Sequence, residues 1–403
     1  MAEASTSAAR TSAASMTGEE FLRRAVALVP TLRERAPEAE RLRRMPEATV
    51  EDLHRLGLWR GMQPARWGGH EIDPATYYDA CIELATGCAS TGWVLGVVGV
   101  HSWQLGLFPL QAQEDVWGKD TSVLIASSYA PVGKVTNVEG GYRISGQWSF
   151  SSGCDYADWI LTGAIVDDKE RPGRRQGLTL LIPKSDYRIV DNWQVAGLSG
   201  SGSKAFVIDD AFVPEHRTLS TWAARQLDTP GAQHNPNPIF RMPFMNVFVY
   251  AVSAPTIGVA QGMLDTYLEQ GRKKLQAPGS PLAKDSFAHA RVARAALQVA
   301  SARNQMREDL RGLLALAVAG DPIPIETRAR ARWGAAYALD ISLEAVDRVF
   351  EVGGGYSIHS DNPMQRMFRD AHAMRVHASN NVDRAAEGYG RALLGLPDEG
   401  GVL

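Results

Sequence analysis

The order of textures along the chain limits its fold more than any single motif: a helical stretch, a β stretch and a second helical stretch follow one another without interleaving. From Thr17 to Trp117 apolar residues recur three and four apart, and Thr17 with Glu20 carries a capping-box signature at the first helix start. Near Thr121 the pattern changes to β-branched alternation broken by glycines, with Gly140 and Gly141 as a two-residue hairpin turn. GLTLLIP, YRIVDNWQV and KAFVIDDAFVP read as further strands of a compact antiparallel unit ending near Leu219. A Pro- and Asn-rich connector, GAQHNPNPIFRMP, leads into Ala-, Leu- and Arg-rich helical sequence from about Met245 to Leu394, room for four long helices. Strand and helix do not alternate, which excludes a doubly wound dinucleotide-binding sheet. The expectation is an α+β chain: a disordered leader over 1–16, an N-terminal helical domain over 17–120, a central antiparallel β domain over 121–220 and a C-terminal four-helix bundle over 235–397.

Charge and cysteine usage narrow the partners and the compartment. Lys plus Arg number 42 against 45 Asp plus Glu, a formal net charge of −3 that offers no general attraction to nucleic acid or to an anionic membrane. No apolar run approaches the roughly 18 residues a membrane helix needs, Gly92 to Val100 being among the longest, and the N-terminal segment lacks the apolar stretch of a signal peptide. Cys81, Cys88 and Cys154 make an odd count with no CxxC pair, so the expected compartment is a reducing cytoplasm. Cys81 and Cys88, seven apart, read as small buried hydrophobes on one helix face. Ten Trp are more than packing alone asks of a chain of this size, and they favour an aromatic-lined site.

Several familiar motifs fail on context. Gly200 to Ala205 matches GxGxxA, but a strand follows where pyrophosphate binding needs a helix N-terminus. There is no GxxxxGK[ST] and no GxSxG elbow. The nine His show no HExxH spacing, and His372 and His377, five apart on a predicted helix, diverge by about 140°, so no metal site is expected. Arg366 and Asp370, four apart, read as an ordinary helix pair.

Four segments, taken in order over most of the chain, carry a resemblance. They are ASTGW (89–93), WSFSSGCDYADW (148–159), AGLSGSGSKAFVIDDAFVPEHRTL (196–219) and FEVGGGYSIHSDNPMQRMFRDAHA (350–373), and together they resemble the acyl-CoA dehydrogenase fold with its α, β, α order. True dehydrogenases of that family usually place a glutamate base shortly after the segment resembling RDAHA, or on another helix. Here 374–381, MRVHASNN, holds no carboxylate to remove a proton α to a thioester. The strings STGWVLGVVGVHSW, QEDVWG, SSYAPVGK, FSSGCDYADW, GLSGSGS and RDAHAMRVHASN are similar instead to the flavin-dependent monooxygenase branch of the fold, the oxygenase components of two-component phenol hydroxylases. That resemblance implies a homotetramer that takes reduced FMN or FAD from a separate flavin reductase. It further implies reaction of the flavin with O₂ to a C4a-hydroperoxide and transfer of oxygen to a phenolic ring, ortho to the hydroxyl. An acyl-CoA dehydrogenase, an N- or S-oxygenating enzyme of the same fold and a non-catalytic scaffold are the alternatives.

The resemblance also assigns residues. Ser152 matches the hydroxyl placed at flavin N5, where holding a proton prevents peroxide release, and its neighbour Ser151 is a further flavin-binding candidate, against a reading in which both merely satisfy a sheet edge. His101 matches a base near the phenol oxygen, although alone it would read as a core histidine. Ser127 matches a residue hydrogen-bonding that oxygen, against a turn-capping reading, and His377 matches a histidine over the flavin, against an exposed helix position. Trp93 and Tyr129 stand as candidates for packing on substrate, and Trp148 and Trp193 on the flavin ring, with core packing as the alternative for each. Arg272 is a candidate for the flavin phosphate, across a subunit boundary, or else part of a solvated basic turn with Lys273 and Lys274.

Overall fold

The computed structural model describes residues 16–169 and 173–397, so all of the leader expected over 1–16 except Met16 lies outside the described residues. The first helix, α1 (Gly18–Leu42), starts at Thr17, whose hydroxyl accepts from the Glu20 N–H at 3.2 Å. The Glu20 carboxylate turns instead to Arg23 and Arg24, each 2.7 Å away, so only half of the capping box closes. After α2 (Glu47–Arg55) come α3 (Pro74–Gly87), α4 (Ala89–Leu105) and α5 (Leu110–Trp117). Cys88 stands in extended conformation between α3 and α4, so it does not share a helix with Cys81; both thiols are buried and pushed up by that burial. Every residue of α4 is buried, which explains its unbroken apolar texture.

Eight strands follow: β1 (Ile125–Ser128), β2 (Lys134–Val138), β3 (Gly141–Ser151), β4 (Trp159–Asp167), β5 (Arg175–Pro183), β6 (Tyr187–Val190), β7 (Lys204–Pro214) and β8 (Thr218–Ser220). They form two four-stranded sheets, ordered β1-β4-β5-β8 and β2-β3-β7-β6. One pair, β1 with β4, is parallel, a departure from the all-antiparallel expectation. The chain leaves β1, builds the β2-β3 hairpin in the other sheet, and re-enters beside β1 in the original direction. The hairpin turn lies at 139–140, since Gly141 pairs with Val138 and Gly140 takes φ +73°. Between the sheets Trp148 stacks on Phe206 with ring centroids 5.5 Å apart, among Ile160, Leu180 and Ile182.

The short α6 (Thr221–Gln226) precedes α7 (Phe244–Leu275), α8 (Ser286–Ala319), α9 (Ile325–Gly353), α10 (Pro363–Arg375) and α11 (Val382–Leu393). The room for four long helices is filled by three long and two short ones, because Gly354 at φ +66° stops α9 and α10 ends before His377. α7 is long and apolar enough to cross a membrane, with mean hydropathy 1.5, a property hidden from a search for unbroken apolar runs by its scattered Asn, Ser, Thr and Gln. It is a core helix: 94% of that window is buried in the protein. Glycines set its close packing, for a Cβ at Gly258 would lie 2.2 Å from the Ile82 carbonyl of α3, and the Gly96 position of α4 would press the Ala251 carbonyl at 2.8 Å. Residues of α4, of the start of α7, of α10 and of both sheets together line one large cavity.

Candidate active site

Trp93, Val97, His101 and Gln104 follow one another on α4 at spacings of four, four and three, and this stripe forms one wall of a cavity of about 1360 Å³. The end of β1 adds Ser127 and Ser128, the start of α7 adds Phe244 and Phe248, and the segments after β3 and before β7 add Ser152 and Ser203. Tyr129, Phe150, Trp193, Phe368, His372 and His377 add further aromatic and imidazole rings to the wall. No Asp or Glu lines this cavity among the described residues.

At one end His101 is fully buried, with Nδ1 2.8 Å from the Ile125 carbonyl and Nε2 2.8 Å from Ser127 Oγ. A carbonyl only accepts, so Nδ1 carries the hydrogen and Nε2 presents its lone pair. Burial pushes the imidazole down to about 4, with no carboxylate to oppose it, and the ring stays neutral at neutral pH. Tyr129 donates to Gln104 Oε1 and lies edge-on to His101 at 5.9 Å, while Phe244 and Phe248 stack on each other at 5.4 Å and turn toward Tyr129. The result is a polar pair set at the end of an aromatic trough.

A second set of groups surrounds Ser152. Its Oγ accepts from Trp93 Nε1 at 3.0 Å and lies 2.7 Å from Ser203 Oγ; Ser203 lies 2.7 Å from Ser201 Oγ, which donates to the Leu198 carbonyl at 2.7 Å. The carbonyl fixes every direction in this chain. Ser201 donates to Leu198, Ser203 donates to Ser201, and Ser152 donates to Ser203, which leaves Ser152 with a free lone pair and no hydrogen for the cavity. α10 holds the far end: Asp370, buried and raised to about 6 by that burial, accepts the Leu198 N–H at 2.6 Å, and Arg369 donates to the Ala196 carbonyl at 2.7 Å. Asp370 therefore serves a loop backbone, where the sequence suggested a pair with Arg366.

His377 lies beyond the end of α10, not on a helix with His372, which pairs with Asp347 at 2.9 Å. The Ser379 N–H donates to His377 Nδ1 at 3.1 Å, so Nε2 of the neutral ring is the donor. Burial, with Arg332 nearby, pushes this imidazole down to about 4, and its ring meets the edge of Trp93 at 5.7 Å.

The structure gathers Trp93, His101, Ser127, Tyr129, Ser152, Trp193 and His377 around this cavity and leaves three candidates off its wall. A bulge between Trp148 and Ser151, with Phe150 at φ +65°, resets the alternation of β3. Ser151 is consequently fully buried with a partnerless hydroxyl and Phe150 turns out to meet Trp193 edge-on at 6.1 Å, while Trp148, ahead of the bulge, points into the sandwich core. Arg272 is exposed in the last turn of α7. Sequence reasoning missed Gln104, readable as the i+3 neighbour of His101, and Ser203, which sits in the quoted GLSGSGS string without an assigned task. It also missed Phe244 and Phe248, an i,i+4 pair at a helix start.

Two family models match the chain, the acyl-CoA dehydrogenase N-terminal domain over residues 18–120 and the acyl-CoA dehydrogenase C-terminal domain over 250–382. The oxygenase subunit HsaA of a flavin-dependent monooxygenase from Rhodococcus jostii is 43% identical over 93% of this chain and 98% of its own. The oxygenase component of an FADH(2)-dependent resorcinol hydroxylase from a Rhizobium species is 34% identical, covering 94% of each chain. Among solved structures, the 3-HSA hydroxylase from Rhodococcus sp. RHA1 superimposes with a TM-score of 0.92 at 43% identity, over 95% of this chain and 99% of that one.

Proposed function

Because the chain belongs to the acyl-CoA dehydrogenase family and, within it, to the oxygenase components of flavin-dependent monooxygenases, we propose that it hydroxylates a phenol ortho to its hydroxyl, using reduced FMN or FAD delivered by a separate flavin reductase. The observation that carries the substrate reading is the buried neutral His101, fixed at Nδ1 and paired through Nε2 with Ser127 at a cavity wall. The cavity fits a flavin beside a phenol: its volume far exceeds one aromatic ring, Phe150 and Trp193 offer flat apolar surface, and Ser152 keeps an unused acceptor lone pair. A bound reduced flavin supplies two electrons to O₂, so that one oxygen atom enters the ring and the other leaves as water.

The chain's own residues divide the remaining work. Ser127 donates to His101 Nε2 and accepts from the phenol O–H, which draws that hydrogen away from the ring oxygen and enriches the ortho carbon in electrons. Ser152, free only to accept, holds the hydrogen at flavin N5. His377, through its Nε2–H, donates into the space beside Trp93, and the apolar walls keep water out. The absence of any carboxylate on the wall among the described residues speaks against removal of a proton α to a thioester. Three buried thiols suit a reducing cytoplasm, and a homotetramer in which Arg272 reaches a neighbouring flavin phosphate completes the reading.

Mixing the protein with reduced flavin, O₂ and a phenol panel tests this. The expected outcome is a product one oxygen heavier, with His101→Ala lowering product by about a hundredfold while flavin oxidation continues as peroxide release. Flavin oxidation at its free rate with no oxygenated product, or turnover of acyl-CoA thioesters with an acceptor dye, overturns the reading.

A further inference from the structure

Most half-buried arginines of this chain meet carboxylates: Arg35 meets Asp52 at 2.8 Å, Arg303 and Arg307 share Asp79 at 2.7 Å, and Arg369 meets Glu40 at 2.6 Å. Two arginines on the cavity wall do not. Arg328, in the first turn of α9, donates only to carbonyls, Ile323 at 3.1 Å and Arg225 at 2.7 Å. Arg225, on α6, has a guanidinium with no partner among the described residues. Burial alone pushes Arg328 down, with no carboxylate to oppose it. Asn246 donates to the Arg328 carbonyl at 2.7 Å and fixes that backbone beside the start of α7, which begins at Phe244 without a side-chain cap and so adds the positive end of a 32-residue helix.

An uncompensated pair of cations beside a cavity whose wall, among the described residues, lacks any carboxylate is costly unless something anionic enters. The same wall leads back to the phenol end, for Phe244 faces Tyr129 at 5.9 Å and Tyr129 faces His101 at 5.9 Å. We propose that Arg225 and Arg328 form an oxyanion subsite, and that the substrate is a phenol bearing a carboxylate at its far end. The inference rests on the phenol-hydroxylase reading for the identity of the near end. The far end is read from the two guanidinium groups alone, and Arg gives a carboxylate two parallel donors.

Binding without turnover tests it on the full-length protein. Isothermal calorimetry of ω-(4-hydroxyphenyl)alkanoic acids, with side chains of two to six carbons, is compared with the matching amides. At one chain length the acid binds about tenfold or more tighter than the amide, and this preference shrinks as salt rises. Arg225→Gln and Arg328→Gln bring the acid-to-amide ratio toward one, while Arg328→Lys restores part of it. Equal affinity of acid and amide at every length overturns the proposal, as does a ratio that survives both substitutions. Should the substitutions instead weaken FMN relative to riboflavin and leave the ratio unchanged, the oxyanion is the flavin phosphate and the substrate assignment falls. A phenol acid that binds but is never oxygenated separates failure of the hydroxylase reading from failure of the subsite.

Discussion

At the scale of single residues, the direction of a hydrogen bond decides function more than its length does. A lone serine hydroxyl beside flavin N5 can turn its hydrogen either way, but Ser152 is committed, because Ser203, Ser201 and the Leu198 carbonyl absorb each hydroxyl hydrogen in turn. Ser203→Ala releases that commitment without touching the cavity face of Ser152. The expected result is a severalfold rise in peroxide released per flavin oxidised, with the substrate KM unchanged; Ser203→Thr, which retains a hydroxyl, restores coupling. Ser152→Ala gives the larger rise. If Ser152→Ala uncouples the enzyme and Ser203→Ala does not, the relay has no role; if neither does, Ser152 does not hold the N5 hydrogen. The sequence made Ser152 legible through the FSSGCD string, whereas Ser203 needed three dimensions, since 51 positions separate it from its partner. The error at Ser151 has a physical cause as well. Side chains on a strand alternate strictly, and one bulge at Phe150 reverses which of those after Trp148 face the core.

At the scale of elements, α10 is what fixes the loop between β6 and β7 in place, through Arg369 on the Ala196 carbonyl and Asp370 on the Leu198 N–H. The sequence placed Arg366 and Asp370 one turn apart and so suggested a pair, but helix spacing cannot show that a loop from another domain arrives between them. The cost of this arrangement is readable in pH. Asp370 stands at about 6 in the folded protein against 3.8 for an ordinary aspartate, so the fold binds its proton more tightly than the unfolded chain does. That contribution is fully present below 3.8 and is lost as pH rises through 6, above which the buried carboxylate is charged. Asp370→Asn keeps the acceptor and removes the charge. Urea unfolding should show the variant more stable by about 3 kcal/mol at pH 8 and equal to the parent near pH 4. An equal effect at both pH values, or a loss at pH 8, shows that the carboxylate is stabilised by charge where the geometry indicates a neutral acceptor.

At the scale of the whole molecule, the α, β, α order was legible because periodicity of 3.6 and of 2 are distinguishable over long stretches, and the parallel β1-β4 pair was not, because strand direction across a sheet leaves no trace in a run of side chains. Periodicity also leaves open what covers an apolar helix face that the chain itself does not bury. Phe287 and Leu297 on α8 are 80% and 69% exposed, Tyr356 and Ile358 after α9 are 72% and 70%, and Leu394 at the end of α11 is 77%. These side chains lie on α8, after α9 and at the end of α11, and the proposed homotetramer would give them cover. Light scattering should therefore give a mass four times the 43.8 kDa of the chain. Leu297→Glu together with Ile358→Glu should lower that mass while leaving the far-ultraviolet circular dichroism unchanged, since neither side chain contributes to the core of its own chain. The assembly also decides the fate of Arg272, which its own cavity does not use. If a neighbour's flavin phosphate is its partner, Arg272→Ala weakens FMN binding and spares riboflavin, and the dissociated double variant shows the same selective loss. A wild-type monomer that binds FMN tightly through its own chain would remove both the tetramer and the task given to Arg272.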